Sequence, residues 1–167
     1  MTQTIGFIGS GQIGSALARL AVAAGFNVVL SNSRGPDTLA KLLAELGPRA
    51  RATTPAEAAK AGDLVVATVP LQAYRNLPVE PLRGKSVSDT ISYYPVRDGQ
   101  IPDIDAGKLT TSELIQQHLK GAKVVKALHN QDSPHLFKNA RPHGDPTRAE
   151  NGGMPWTCAT CPKARTR

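Results

Sequence analysis

Apolar and polar positions along the first 128 residues form short apolar runs that alternate with segments of helical periodicity. Residues 4–8 are an apolar run of strand length that ends at a glycine, and residues 12–24 carry Ala and Leu at helical spacing. Residues 27–30 begin a second strand. Pro36 and Gly47 then bracket a second helix, with the proline in its first turn and the glycine just past its end. The pattern predicts the order strand, helix, strand, helix.

The alternation continues through the middle of the chain. A short strand is predicted over residues 49–52, followed by a helix whose first turn holds Thr54 and Glu57 at capping-box spacing. Thr110 and Glu113 repeat that spacing before a later helix. Three further strands are predicted from the segments "DLVVATVP", "KSVSDT" and "KVVKAL". The first segment holds a continuous apolar run, which is typical of a parallel strand covered on both faces.

Buried strands that alternate with helices predict an α/β fold in three layers, with a doubly wound parallel sheet between two layers of helices. Each crossover between parallel strands must be long and right-handed, and the helical segments provide that length. Ligands of such sheets bind beyond the carboxyl ends of the strands. The candidate binding residues are therefore those that follow the predicted strands: residues 9–14, 31–34, 69–71, 89–94 and 127–130.

A complete G-x-G-x-x-G fingerprint lies between the first strand and the first helix. It consists of Gly9, Ser10, Gly11, Gln12, Ile13 and Gly14. The preceding strand and the following helix make this otherwise weak pattern specific for dinucleotide binding in a Rossmann-type sheet. The first glycine permits the tight turn, the second lets the backbone approach a pyrophosphate, and the third lets the helix lie close to the strand. We expect the pyrophosphate at the positive end of the helix dipole.

The segment after the second strand, "SNSR", lacks the acidic residue that a site selective for NAD normally offers to the adenosine ribose. A guanidinium pairs with a phosphate in a bidentate manner, whereas a carboxylate repels it. Arg34 is therefore predicted to bind the 2′-phosphate of NADP. Three neighbours could add shorter hydrogen bonds: Ser31, Asn32 and Ser33. The alternative is that Arg34 is a solvated loop arginine.

With these residues in view, the sequence resembles bacterial members of the NADPH-dependent deazaflavin reductase family, which use NADP and coenzyme factor 420. The resemblance runs from Thr4 to about Arg148. Besides the fingerprint, it rests on the segments "SNSRGP", "TVP", "DTISYYPVRDGQIPDID", "TTSELIQQHL" and "VVKALHN". The fingerprint occurs in many superfamilies, whereas "YYPVRDG" together with "VVKALHN" is more specific. Enzymes of this family carry hydride between the nicotinamide C4 and the C5 of a deazaflavin.

The resemblance implies contacts between individual residues and NADP(H). It places two groups against the phosphates: Gly11, Gln12 and Ile13 at the pyrophosphate, and Ser33 and Arg34 at the 2′-phosphate.

The resemblance also implies what surrounds the nicotinamide. Val69 and Pro70 would flank the nicotinamide ribose, and loops 90–94 and 127–130 would border the transfer site. Because hydride transfer needs two aligned rings more than an acid or a base, no catalytic triad is expected. His129 could donate a proton or hydrogen bond to a substrate carbonyl or to deazaflavin N1, or it could simply satisfy backbone groups.

Three more residues near the strand ends have two readings each. Tyr93 and Tyr94 are predicted as wall or lid residues of the transfer site, or as packing residues. Lys126 alternates with apolar neighbours in the last strand, so it belongs to a partly buried pair or binds a ligand.

The predicted function is an NADPH-dependent oxidoreductase that transfers hydride between NADP(H) and a deazaflavin-like or other small acceptor. Coenzyme factor 420 is the co-substrate that the resemblance suggests. Two alternatives stay open: an NADP-binding module without turnover, acting as a sensor or a truncated remnant, and an imine or ketone reductase. The resemblance also leaves a homodimer open.

Charge and cysteine content narrow the class of protein. The net charge is +7, but residues 1–137 carry 14 basic against 11 acidic side chains, and much of the excess lies in the final 30 residues. No Lys/Arg stripe suited to nucleic acid is present in the body of the chain. No apolar run approaches about 18 residues and no signal peptide is seen, so no membrane partner is expected. Cys158 and Cys161 are the two cysteines, which fits a reducing cytoplasm.

The periodicity ends near residue 131. Residues 1–131 are predicted to form the NADP-binding Rossmann domain, and residues 132–167 an irregular tail rich in Pro, Gly and charge. Members of the family normally continue with a further strand and helices, so we interpret the tail as a truncated or frame-shifted end. A lone C-x-x-C at Cys158 and Cys161 lacks a second ligand pair, and no metal site is predicted.

Overall fold

Six short segments of the chain form one parallel β-sheet. The computed structural model describes residues 2–128. The strands are β1 (Thr4–Ile8), β2 (Asn27–Ser31), β3 (Ala50–Ala52), β4 (Leu64–Ala67), β5 (Ser86–Asp89) and β6 (Lys123–Lys126). Their order across the sheet is β3-β2-β1-β4-β5-β6, and every neighbouring pair is parallel. The predicted fold class, a Rossmann-type doubly wound sheet, is confirmed.

The strand ends line up along one edge of this sheet. Ile8, the last residue of β1, is paired with Ser31 on one side and with Ala67 on the other. Ala67 in turn is paired with Asp89, and Asp89 with Lys126. The chain builds the sheet outward from β1 in one direction and then, from β4, in the other. The strand order therefore reverses between β1 and β4, beside the glycine fingerprint.

Helices cover both faces of the sheet. Residues 2–128 contain the α-helices α1 (Gln12–Ala23), α2 (Ala40–Leu46), α3 (Pro55–Ala61), α4 (Val79–Leu82), α5 (Pro95–Asp98), α6 (Pro102–Asp105) and α7 (Thr111–His118). Three 3₁₀ helices occupy Pro36–Leu39, Gly47–Arg49 and Leu71–Asn76. The longest of these helices, α1, has 12 residues. Within the described part of the chain, no helix has the length and apolarity needed to cross a bilayer.

Alternate residues of the central strands enter two separate hydrophobic cores. Phe7 lies in one core with Leu30 and Val66, and α1 and α2 pack over it. Ile8 lies in the other core with Val65, under α3, α4 and α7. Because both faces of β1 and β4 are covered, these strands read as continuous apolar runs rather than as alternating ones. One core on each face of the sheet, each covered by helices, gives the three predicted layers.

Two features of the predicted element pattern differ in the structure. The helix predicted between Pro36 and Gly47 begins as a 3₁₀ turn at Pro36–Leu39, and only Ala40–Leu46 is α-helical. The prediction also missed five short helices, at Gly47–Arg49, Leu71–Asn76, Val79–Leu82, Pro95–Asp98 and Pro102–Asp105. Each of these has only three to six residues, which is too short to show a helical period in the sequence.

Candidate nucleotide-binding site

The glycine fingerprint forms a tight turn between β1 and α1. Gly9 has φ +105°, and a Cβ atom there would lie 2.2 Å from the carbonyl oxygen of Thr68. A Cβ atom at Gly14 would lie 2.3 Å from the carbonyl oxygen of Gly9. At Gly11, by contrast, no protein atom lies within 4 Å of such a Cβ. The first and third glycines are therefore required by the fold, whereas the second leaves open space above the turn.

The amino end of α1 points its free N–H groups into that space. Gly11 is the N-cap residue, with no side-chain hydrogen bond to the helix and no acidic residue in the first turn. Ser15 donates its backbone N–H to the Gly11 carbonyl at 2.9 Å. The N–H groups of Gln12, Ile13 and Gly14 come before this first helical bond and have no partner inside the helix. Such a helix end favours an anion, as the predicted pyrophosphate contact requires.

Ser10 and Ser31 hold the glycine turn in place through hydrogen bonds beneath it. Ser31 is fully buried, and its hydroxyl donates to the carbonyl oxygen of Phe7 at 2.8 Å. The carbonyl oxygen of Ser31 accepts from the Ser10 hydroxyl at 2.9 Å and from the backbone N–H of Gly9 at 3.0 Å. The Ser31 side chain therefore lies beneath the site rather than on its surface. The predicted contact between Ser31 and the cofactor stays a prediction.

A pocket of about 280 Å³ opens at the carboxyl edge of the sheet, where the strand order reverses. We call it the carboxyl-edge pocket. It brings together eight of the residues predicted to bind the cofactor: Gly9, Ser10, Gly11, Asn32, Ser33, Arg34, Val69 and Pro70. Gln12, Ile13, Gly14 and Ser31 are not on its wall. The volume lies just below the usual range of small-molecule sites, about 300–1,000 Å³, so the pocket suits part of a dinucleotide.

The charge of the carboxyl-edge pocket comes from one side chain. Arg34 is the sole ionisable residue among the residues that line the pocket. Its side chain is exposed, and within residues 2–128 its guanidinium has no hydrogen-bond or ion-pair partner. The Arg34 backbone N–H donates to Oδ1 of Asn32 at 3.0 Å. The pocket thus offers an uncompensated positive charge and no carboxylate that would repel a phosphate.

Six residues of the pocket wall were not among the predicted binding residues: Ile8, Pro55, Thr68, Ala73, Asn76 and Leu77. Thr68 lies directly after β4, and its hydroxyl donates to the Gly9 carbonyl at 3.4 Å. Pro55 follows β3 and begins α3, and Asn76 ends the 3₁₀ helix Leu71–Asn76. Thr68 and Pro55 follow strands, so the rule that selected residues 31–34 could have selected them as well. Asn76 gave no such signal, because its short helix was not predicted.

A buried polar cluster lies further along the same edge, at the ends of β5 and β6. Asp89 is fully buried and accepts hydrogen bonds from the backbone N–H of Ile91 at 2.8 Å, from the Ser112 hydroxyl at 2.7 Å and from Lys126 Nζ at 3.2 Å. Lys126 also donates to the carbonyl oxygen of Ile91 and to Thr111 Oγ1. Burial lowers the pKa of Lys126, and the neighbouring Asp89 opposes this shift. Lys126 is therefore part of a buried pair, the first of its two predicted readings.

Tyr93 packs into the structure, whereas Tyr94 is exposed. The Tyr93 hydroxyl donates to Asp105 Oδ1 at 2.8 Å and accepts the backbone N–H of Ile101 at 3.1 Å. Burial is the main cause that raises the pKa of Tyr93. Tyr94 is 56% exposed and lies under the guanidinium of Arg97, 4.9 Å from the ring centroid. Tyr93 thus joins loop 90–94 to α6, as the packing alternative predicts.

Several sequence predictions fall on residues that the structure does not describe. His129, the candidate proton donor, lies outside the described residues, as do Asn130 and the tail from residue 132 onward. Cys158 and Cys161 lie there as well. Among residues 2–128, no group of three or more His, Cys, Asp or Glu side chains is placed to hold a metal ion.

A second pocket lies at the opposite, amino edge of the sheet. Its volume is about 350 Å³, and its lining includes Thr4, Asn27, Arg49 and Arg51. Arg49 donates a hydrogen bond to the carbonyl oxygen of Gly25 at 2.7 Å. Although this pocket is larger, it lacks the glycine turn, and parallel sheets bind ligands at their carboxyl edge. The carboxyl-edge pocket is therefore the candidate nucleotide site.

Doubly wound sheets bind dinucleotides where the strand order reverses, and the carboxyl-edge pocket lies at that point. The fold and site thus define a Rossmann-type dinucleotide-binding domain. Residues 4–93 match the family model described as NADP oxidoreductase, coenzyme F420-dependent, and the chain belongs to this family of NADP-dependent oxidoreductases. The family expected from the motifs is confirmed.

Solved structures of other proteins have the same fold. A hypothetical protein from Sinorhizobium meliloti is 30% identical, with a TM-score of 0.70, over 81% of this chain and 65% of that chain. A candidate F420-dependent NADP-reductase from Arthrobacter sp. is 23% identical, with a TM-score of 0.68, over 80% of this chain and 65% of that one. An imine reductase from Bacillus cereus is 21% identical, with a TM-score of 0.56, over 74% of this chain and 40% of that one. The last two likenesses show the fold alone.

The matched part of this chain spans about 65% of the length of the first two solved structures. No curated protein matches the sequence significantly.

Proposed function

We propose that this chain binds NADP(H) in the carboxyl-edge pocket and acts in hydride transfer between NADP(H) and a small acceptor, with a deazaflavin as the first candidate. The family is NADP-dependent, and one solved structure with this fold carries the name of a deazaflavin-dependent NADP-reductase. The acceptor and the turnover of this particular chain belong to the proposal.

One observation carries the choice of NADP over NAD. Arg34 shares a pocket with the glycine turn, and no acidic residue lines that pocket. A carboxylate after β2 would bind the ribose hydroxyls of NAD and would repel a 2′-phosphate, whereas the guanidinium attracts it. The open space above Gly11, where an added Cβ would meet no protein atom within 4 Å, fits a pyrophosphate that approaches the backbone closely.

The residues of this chain bind and orient the cofactor rather than react with it. The backbone N–H groups at the start of α1 would hold the pyrophosphate, and Ser33 and Arg34 the 2′-phosphate. Bound NADPH supplies the hydride. Alignment of two rings within reacting distance is the main requirement of such transfer, so the protein's contribution is mostly positional. His129 stays the candidate proton donor near the acceptor.

We predict that Arg34→Ala weakens NADPH binding by one to two decades. Loss of a hydrogen-bonded charged contact removes about 1.5–3 kcal/mol of binding free energy, which corresponds to roughly 10- to 100-fold in Kd. NADH lacks the 2′-phosphate, so its Kd should stay within about twofold of the wild-type value. Isothermal titration calorimetry with both nucleotides measures the two constants on the same samples.

A second arginine provides the matched control for this experiment. Arg51 in β3 is also exposed but lines the pocket at the amino edge and not the carboxyl-edge pocket, so Arg51→Ala removes the same charge outside the proposed cofactor site. Its effect on NADPH affinity should be small. Equal affinity of the wild-type protein for NADPH and NADH, or an unchanged NADPH Kd in Arg34→Ala, would refute the NADP assignment.

Turnover is tested separately from binding. NADPH is mixed with the protein and with a deazaflavin, a flavin, or a panel of imines and ketones, and its absorbance band is followed. Oxidation with the deazaflavin supports the proposed reaction, whereas oxidation with imines or ketones favours the reductase alternative. Tight NADPH binding without oxidation by any acceptor would identify a binding module.

A further inference from the structure

The loop that carries Arg34 is held by a set of side-chain hydrogen bonds behind the pocket. Asn32 accepts the Arg34 backbone N–H on Oδ1 at 3.0 Å and donates from Nδ2 to Thr38 Oγ1 at 2.8 Å. Thr38 Oγ1 in turn donates to the carbonyl oxygen of Gly35 at 2.8 Å. One hydroxyl therefore serves as acceptor for Asn32 and donor to Gly35, and it joins both ends of segment 32–38.

These bonds fix the backbone and leave the pocket-facing groups available. Ser33 and Arg34 line the carboxyl-edge pocket, and within residues 2–128 neither side chain has a hydrogen-bond partner. Thr38 does not line the pocket. The protein thus supplies the ordering of the loop before an anion arrives, which removes part of the entropic cost of binding.

We infer that Thr38 is a positioning residue that sets the preference for the 2′-phosphorylated cofactor, acting through Asn32 on the Arg34 loop. The inference rests on the proposed function, because it concerns the same phosphate subsite. The inference also gives Asn32 a second role besides its predicted contact with the cofactor. One hydrogen of the Asn32 amide is committed to Thr38, so Asn32 shapes the subsite in addition to any direct contact with the phosphate.

The expected size of the effect follows from the population of the binding-competent loop. If that population falls to roughly 0.1–0.3 when the Thr38 hydroxyl is lost, the apparent Kd rises about 3- to 10-fold. Only a ligand that needs the ordered Arg34 loop experiences this loss. A ligand without a 2′-phosphate should bind nearly as before.

The test compares Thr38→Val, which keeps the shape but removes the hydroxyl, with Thr38→Ser, which keeps the hydroxyl. Adenosine 2′,5′-bisphosphate and adenosine 5′-monophosphate serve as probes, since they differ by the 2′-phosphate alone, and NADPH and NADH are measured beside them. Thr38→Val should raise the Kd of both 2′-phosphorylated ligands about 3- to 10-fold and leave the other two within about twofold. Thr38→Ser should restore the wild-type ratio.

Other outcomes overturn the inference. An unchanged ratio of affinities in Thr38→Val, or an equal loss for all four ligands, would show that Thr38 does not act on the phosphate subsite. Thermal unfolding of each variant, together with Thr38→Ala as a second variant, guards against a folding defect. Failure of both hydroxyl-free variants to fold would make Thr38 a folding residue and would also overturn the inference. A wild-type protein with no preference for the 2′-phosphate would instead refute the proposed function.

Discussion

A methyl group added at Gly14 would lie 2.3 Å from the carbonyl oxygen of Gly9 and 2.9 Å from the hydroxyl oxygen of Thr68. The first of these atoms is backbone, so it cannot move aside without shifting β1 or α1. Alanine is normally better than glycine inside a helix by up to about 1 kcal/mol. At this position the steric clash outweighs that preference, and the close approach of helix and strand decides the residue.

We predict that Gly14→Ala destabilises the protein and that Gly11→Ala does not. Overpacking of this kind costs about 1–3 kcal/mol, or several degrees of melting temperature for a chain of this size. At Gly11 the φ angle is −75° and an added Cβ meets nothing within 4 Å, so the fold should be unaffected. Gly11→Ala should instead weaken NADPH binding, because its methyl group enters the space proposed for the pyrophosphate. Thermal unfolding and calorimetry separate the two effects, and an unshifted melting temperature in Gly14→Ala would contradict the steric argument.

At the scale of elements, helix starts are specified by local hydrogen bonds that the sequence displays. The capping boxes predicted at Thr54 and Thr110 are both present in the structure. Thr110 accepts the Glu113 backbone N–H at 3.2 Å, and the Glu113 carboxylate accepts the Thr110 backbone N–H at 2.9 Å. The box sets the first turn of α7, and that turn supplies Thr111 to the buried cluster at β5 and β6.

We predict that Thr110→Ala lowers the free energy of unfolding by about 1 kcal/mol, within the range of 0.5–2 kcal/mol for the loss of an N-cap. Urea unfolding followed by circular dichroism measures this change. Gln117→Ala is the control, because Gln117 is an exposed residue of the same helix and alanine is a good helix former. Similar destabilisation by both substitutions would rule out the cap as the cause.

The strands and the longer helices were predictable because each has a local signal, either an apolar run or a cap. The short helices after β4 and β5 show no helical period because they have only four to six residues, although a proline begins α5 and α6. A proline alone does not distinguish such a helical turn from a loop, and tertiary contacts determine its shape. The same difference decided which residues of the site could be predicted. Arg34 and Val69 were found because they follow strands, whereas Asn76 reaches the pocket through one of the short helices.

On the scale of the whole molecule, one buried ion pair joins three elements of the sheet's carboxyl edge. Asp89 ends β5, Lys126 ends β6, and Ser112 in α7 donates to the same carboxylate oxygen that Lys126 contacts. The Asp89 side chain is fully buried and that of Lys126 is 12% exposed. Ionised groups in such surroundings are stable only while their partners are present. Both side chains also hydrogen-bond the backbone of Ile91, so the pair links the ends of β5 and β6 to loop 90–94.

We predict strong coupling between Asp89 and Lys126. Asp89→Asn and Lys126→Met should each cost about 3–5 kcal/mol, because each leaves an uncompensated buried group, and the double substitution should cost less than their sum. A double-mutant cycle by urea unfolding measures the coupling. The exposed pair Glu80 and Arg83 is the control and should show little coupling. Coupling no larger than in this control would mean that the buried pair does not organise the edge.

All strands of the sheet run in one direction, and this has a practical use. β1 begins at Thr4 on the amino edge and ends four residues later at Ile8, beside the glycine turn. At about 3.3 Å per residue, the two ends of this strand are roughly 13 Å apart. A tether attached ahead of Thr4 therefore leaves the molecule from the side opposite the carboxyl-edge pocket. Immobilised on a biosensor chip by that end, the protein would face the flowing solution with its nucleotide site unobstructed.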